Sequence, residues 1–244
     1  MLKDKVVVVT GAAKGIGRYI AQGFAQQGAK VAIADIDEER MQKTLAELED
    51  FGGEAMAVTT SVRDEEQVRS MMKQVADRFG GIDVLINDAG IVPHFQWGST
   101  KRWPAVKDMD ESFWLHVIGT NLGGTFLCSK HAVPYMEQRG GGNIVNLYGG
   151  GGKTPAGALA YVVSKEAIVV FTEYHAEEVR DANIAVVAIS PGGAIATEDA
   201  PDEARGRMPG PELAGPRFLL ASEATMEQSG HLLDLQDGKL VIDR

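Results

Sequence analysis

Tyr161 and Lys165 stand four residues apart in a stretch with helical apolar spacing, and residues i and i+4 share one face of a helix. A phenol ordinarily titrates near pH 10, and a neighbouring ammonium stabilises its phenolate, so such a pair is suited to exchange a proton near neutrality. Taken alone, a Tyr and a Lys at this spacing are more often surface decoration. A second feature gives them a context. Thr10-Gly11-Ala12-Ala13-Lys14-Gly15-Ile16-Gly17 follows the strand-like run Val6 to Val9 and opens a helical pattern, which aims backbone amides and the helix dipole at a ligand above the sheet. A pyrophosphate is the natural occupant; a ligand-free tight turn is the alternative. Asp35 ends the next apolar run, eighteen residues after Gly17. A carboxylate there accepts both hydroxyls of an adenosine ribose and repels a 2′-phosphate, which predicts NAD rather than NADP, with Ile36 beside it. Helix capping is the other use of Asp35. Lys14 pulls mildly toward NADP, since a cation in this turn can neutralise an extra phosphate, although a solvated lysine explains it as well.

These residues need a scaffold, and the periodicity supplies one. Short β-branched or aliphatic runs recur at 6–9, 31–34, 55–58, 82–86, 144–147 and 184–189, with a last edge strand from Leu232, Leu233 and the 240–242 run. Between them lie helical patterns, including one opened by Asp37, one opened by Asp64 with Gln67 three residues on, and long ones near 110–138 and 158–180. Strands alternating with helices throughout predict an α/β, Rossmann-type fold: one doubly wound parallel sheet of about seven strands in a single domain over 1–244. Loops about 91–107 and 194–212 follow strand ends, where ligands bind in such sheets.

Composition narrows the function classes. The 244 residues carry 24 basic and 34 acidic side chains, a net charge of −10, which excludes a nucleic-acid binder that works by charge. Glycine is abundant at 29 and proline modest at 9, so the glycines mark turns in a folded chain, not a collagen-like repeat. Cys128, the one cysteine, allows no internal disulfide and reads as buried filler in a reducing cytoplasm. No run approaches a membrane span, and His94, His116, His131, His175 and His231 lack metal-ligand spacing, so neither membrane nor metal is expected.

The glycine spacing 11, 15, 17 resembles that of the classical short-chain dehydrogenase/reductase family. Asn87-Asp88-Ala89-Gly90 looks like its Asn-Asn-Ala-Gly element, Asn121 sits in the following helix, and Tyr161-Val162-Val163-Ser164-Lys165 matches its Tyr-x-x-x-Lys element. Pro191-Gly192 ends the sixth strand, with Thr197 shortly after. The resemblance covers essentially the whole chain. It implies an NAD(H)-dependent oxidoreductase moving a hydride between nicotinamide and a secondary alcohol or ketone, with Tyr161 as acid/base. It implies that Lys165 holds the nicotinamide ribose, that Asn121 positions a water for proton relay, and that Asn87, Ala89, Gly90, Pro191, Gly192, Ile195 and Thr197 contact cofactor. A homodimer or homotetramer is implied too. An amide in a helix also has a plainer use, bonding a neighbouring backbone group.

The chain departs from the family pattern where a catalytic serine is expected. The segment reads Asn146-Leu147-Tyr148-Gly149-Gly150-Gly151-Gly152, with no Ser or Thr between Asn143 and Lys153. Tyr148 as replacement donor, Thr154 or a substrate group as donor, and impaired redox chemistry are the three explanations, and Tyr148 is the one preferred. Its alternative is aromatic packing. Ser61-Val62 stands where an Asp-Val often meets adenine, Asp88 replaces an Asn, and one residue is added before Thr197. On the substrate side His94, Trp97, Trp103 and Tyr148 are the expected contacts, with an apolar or aromatic substrate or a subunit contact explaining the tryptophans. A non-catalytic NAD-binding sensor or scaffold subunit, and a non-redox elimination or epimerisation, are the competing functions.

Overall fold

The structure is a computed structural model that describes residues 2–92, 103–149 and 157–244. Its centre is β1 (Val6–Thr10), a run of β-branched residues buried on both sides. Val7 and Val9 join one apolar core and Val6 and Val8 the other, as expected of a strand covered on both faces. Around it the described residues form one sheet, ordered β3-β2-β1-β4-β5-β6-β7-β8. The other strands are β2 (Lys30–Asp35), β3 (Ala55–Thr59), β4 (Val84–Asn87), β5 (Gly142–Leu147), β6 (Ile184–Ile189), β7 (Leu232–Gln236) and β8 (Lys239–Ile242). All neighbours pair in parallel except β7 and β8. The chain reverses order between β1 and β4, and that switch point opens the cleft described below.

The predicted doubly wound α/β fold is present, with eight strands in place of seven. The expected edge strand is two strands joined by Asp237 and Gly238, both at positive φ (49° and 75°). An Asp-Gly pair between apolar runs is a hairpin signal, so the extra strand was legible in principle.

Helices α1 (Gly15–Gln26) and α2 (Glu38–Asp50) flank the first strands, and α3 (Glu65–Phe79) follows β3. Asp37 caps α2 by accepting the Arg40 amide, and Asp64 caps α3 by accepting the amides of Glu66 and Gln67. The pattern near 110–138 is α4 (Glu111–Ile118), a π-helical turn (Gly119–Gly123) and α5 (Gly124–Gln138). After them come α6 (Leu159–Glu178), α7 (Asp202–Arg205) and α8 (Gly215–Ala221). Phe24 and Phe218 fill one core; Met71, Met72 and Met136 fill the other. Cys128 is fully buried there, and burial pushes its thiol up to about 12, so it behaves as an apolar side chain. No helix among the described residues is long and apolar enough to cross a membrane.

Asp83 fastens the amino ends of the strands. Its carboxylate accepts the Val6 amide at 2.9 Å, Lys5 Nζ at 3.1 Å and Arg139 Nη2 at 2.9 Å. Burial works against its charge, but these donors outweigh it and hold the carboxyl below the ordinary carboxylate range. The folded-state pKa lies below the unfolded value, so this stabilisation is full above about pH 4 and fades as pH falls through the folded-state pKa. Asp83→Asn is expected to cost about 1–3 kcal/mol at pH 7 and to flatten the acid limb of stability, read by urea unfolding from pH 7 to 3.

Candidate active site

The glycine turn between β1 and α1 shapes the floor of a cleft of about 730 Å³ at the carboxyl ends of the strands. Gly15 has φ +58°, in the left-handed region where L side chains are strained. Gly17 is needed for closeness: a Cβ there would lie 2.7 Å from Asp88 Oδ2. Lys14 precedes α1 without capping it. The first amides of the helix are therefore free of helical carbonyls and take carboxylates. Gly15 N–H donates to Glu198 Oε2 at 2.8 Å, and Gly17 N–H to Asp88.

Gly11, Lys14, Gly15 and Ile16 line the cleft, as do Asp35 and Ile36 at the end of β2. The Asp35 carboxylate accepts the amides of Ala13 (3.0 Å), Ile36 (2.7 Å) and Asp37 (3.1 Å), which hold it at the rim. Ser61 and Val62 form the wall beyond, and Ala89 and Gly90 the floor after β4. Pro191, Ile195 and Thr197 close the opposite side. Three predicted contacts lie behind the cleft. Asn87 is buried, and its Nδ2 donates to Asn146 Oδ1 at 2.8 Å and Ser129 Oγ at 3.2 Å, linking β4 to β5 and α5. Gly17 gives its amide to Asp88, and Gly192 makes room for Arg217, whose Nε lies 2.8 Å from where a Cβ would stand.

Helix α6 brings Tyr161 and Lys165 to the same cleft, one turn apart. Tyr161 Oη donates to Gly149 O at 3.1 Å and Lys165 Nζ to Leu147 O at 3.0 Å, so both engage carbonyls at the end of β5. The surroundings of the phenol work against the expected acidification. Burial pushes the Tyr161 hydroxyl up, with Tyr148 and Asp88 adding to it. Burial also lowers Lys165, and it raises Asp88, two groups that face each other electrostatically across the cleft floor. Asn121, in the π-helical turn, is fully buried. Its Oδ1 accepts the Ile91 amide at 2.7 Å, while Nδ2 donates to Ser164 Oγ at 2.9 Å and Ile91 O at 3.2 Å, so its amide bonds a neighbouring backbone segment. It also lies beside Lys165 across Gly90, whose Cβ would stand 3.3 Å from Asn121 Oδ1 and 3.7 Å from Lys165 Nζ.

Tyr148 does not line the cleft among the described residues. Its ring packs on Ala188, Leu232 and Val169, away from the cleft lining. Its hydroxyl donates to Glu166 Oε1 at 2.5 Å and accepts Arg244 Nη2 at 2.8 Å, with the Arg244 guanidinium 5.3 Å from the ring centroid. Burial and Glu166 push this phenol up to about 12. Gly149, not Tyr148, faces the Tyr161 hydroxyl, and a Cβ at 149 would overlap that hydroxyl. Trp103 is also outside the cleft lining, its ring edge-on to Phe113 at 5.1 Å and its amide on Gly157 O at 3.2 Å. His94, Trp97 and Thr154 lie outside the described residues.

Several cleft residues carried no local signal. Arg63 Nη1 and His116 Nδ1 meet at 2.6 Å beside Val62, and Thr120 and Ser190 present hydroxyls to the cleft. Glu198 and Asp199 arrive from the loop after β6, more than 150 residues from the cations they pair with. Among the described residues no group of His, Cys, Asp and Glu is arranged to hold a metal.

The family model for short chain dehydrogenases matches residues 5–205. The chain belongs to the short-chain dehydrogenase/reductase family. It is 34% identical to the 3-oxoacyl-[acyl-carrier-protein] reductase FabG of Thermotoga maritima, over 99% of each chain. A crystal structure of a short-chain type dehydrogenase/reductase from Mycobacterium marinum superposes with a TM-score of 0.83 at 32% identity, over 95% of this chain and 93% of the other. One of NAD+-bound xylitol dehydrogenase superposes with a TM-score of 0.72 at 33% identity, over 80% and 72%. The chain is thus an oxidoreductase of the class acting on CH–OH and C=O groups with a nicotinamide cofactor.

Tyr148→Phe removes the two hydrogen bonds to Glu166 and Arg244, outside the cleft lining. It is expected to leave turnover within about twofold and to cost about 1 kcal/mol of stability, measured by steady-state kinetics beside thermal unfolding.

Proposed function

We propose that this protein is an NAD(H)-dependent dehydrogenase or ketone reductase in which Tyr161 exchanges the proton at the substrate oxygen. The observation that carries the reading is that Tyr161, Lys165 and the amide-rich start of α1 border one cleft. The residues fit a dinucleotide: Gly15 lines the cleft at the start of α1, where backbone amides suit phosphates, and Asp35 is held at the rim by three amides, ready to accept ribose hydroxyls. When bound, the nicotinamide supplies or takes up the hydride. The protein's part is positional. Lys165 orients the ribose and Asn121 holds the floor beside it. Burial holds the Tyr161 phenol in its protonated form, the one that gives a proton to an oxygen gaining negative charge, while a cation brought beside it would favour the exchange.

NAD is favoured over NADP on charge. Asp35 opposes a 2′-phosphate, and the nearby cations Lys14 and Arg40 are already paired with Asp199. The substrate is a small alcohol or ketone with apolar or aromatic substituents, and 1–244 acts as one domain in the cytoplasm. Exposed Phe126, Val163, Val170 and Tyr174 on α5 and α6 support assembly into a dimer or tetramer.

One observation favours a second reading, a non-catalytic NAD-binding subunit: Gly149 offers no hydroxyl where the family's serine is expected, and the Tyr161 hydroxyl is engaged by its carbonyl. A missing oxyanion donor costs a rate factor of about 10²–10³, so turnover separates the two. NADH titration followed by a screen of ketones and alcohols is expected to give both binding and turnover. Tyr161→Phe should then lower turnover at least about 10²-fold and leave the NADH dissociation constant within about threefold. Binding by an inert wild type would select the second reading.

A further inference from the structure

The start of α1 is already occupied by the protein's own anions. Glu198 holds the Gly15 amide with Oε2 (2.8 Å) and Arg18 Nη1 with Oε1 (3.1 Å). Asp199, the next residue, bonds Lys14 Nζ and lies 3.5 Å from Arg40 Nη1. Burial disfavours the Asp199 charge, but Lys14 and Arg40 outweigh it and keep the carboxyl below its ordinary range. A helix-start amide, a guanidinium and an ammonium are the donors that recognise phosphoryl oxygens. Glu198 and Asp199 follow Thr197, whose Cγ2 lies 3.2 Å from where a Gly15 Cβ would stand, so the loop lies directly over the glycine turn. Both carboxylates are about one-third exposed, so their ion pairs contribute little to folding.

We propose that Glu198 and Asp199 form an internal anion pair that competes with the phosphates of the dinucleotide and sets cofactor specificity. Glu198 competes for the amide that a pyrophosphate would take. Asp199 occupies Lys14, which lines the cleft with Asp35, and shares Arg40 with Asp37, cations that would otherwise neutralise a phosphate on the adenosine ribose. Cofactor entry then requires the 197–199 segment to lift, and measured affinity is the intrinsic affinity reduced by the fraction of molecules in the open state. The proposal rests on the dinucleotide-binding reading above.

The test uses the full chain as wild type, Glu198→Gln and Asp199→Asn, titrated calorimetrically with NADH, NADPH and inorganic pyrophosphate. Glu198→Gln is expected to tighten NADH, NADPH and pyrophosphate alike by about three- to tenfold. Asp199→Asn is expected to tighten NADPH by about tenfold and NADH by less than threefold. Unchanged or weaker binding of pyrophosphate and coenzymes by Glu198→Gln, or equal gains for both coenzymes in Asp199→Asn, would overturn it. If no form binds either coenzyme at millimolar concentration, the dinucleotide reading fails, and pyrophosphate alone still decides whether Glu198 is a competitor.

Discussion

The amides of Gly15, Ile16 and Gly17 precede the first helical carbonyl that could serve them, and they point out of the sheet beside β4. Every helix leaves such donors, and most proteins satisfy them with a side-chain cap. Here Lys14 cannot cap, and no acidic residue lies in the first turn of α1. The donors are met by Asp88 from the end of β4 and Glu198 from the loop after β6. The strand order, the glycine turn, the replacement of Asn by Asp at 88 and the acidic loop all converge on this one electrostatic requirement.

The requirement explains the charge arrangement of the cleft. Without carboxylates the helix start, Lys14, Arg18 and Arg40 would present uncompensated positive potential. Glu198 and Asp199 neutralise it from outside, and the half-buried Asp88 does so from below. Asp88 also lies within electrostatic reach of Lys165. Changes of charge at the phosphate end are thereby felt at the lysine one helical turn from Tyr161. The helix start and the Tyr161–Lys165 end of the cleft share one field.

The other end of the cleft depends on a small residue. Gly149 leaves the space into which the Tyr161 hydroxyl settles, while Tyr148 turns its phenol into a cluster with Glu166 and Arg244. The phenol that sequence spacing nominates as a replacement donor instead fastens the last residue of the chain to α6.

The alternation of buried runs with helical spacing was enough for the fold, since a strand covered on both faces and a helix with one apolar face leave local signatures. The caps Asp37 and Asp64 and the glycine turn were legible for the same reason: their partners lie within a few residues. The pairing of Tyr161 with Lys165 follows from helix geometry alone. What required the tertiary structure were contacts between segments distant in sequence. Asn87 reads as a cofactor contact until its bonds to Asn146 and Ser129 are seen, and Trp103 as a substrate contact until it meets Phe113. Glu198 resting on Gly15 leaves no trace in spacing or composition, because a charge 183 residues away is brought there only by the packing of the whole sheet.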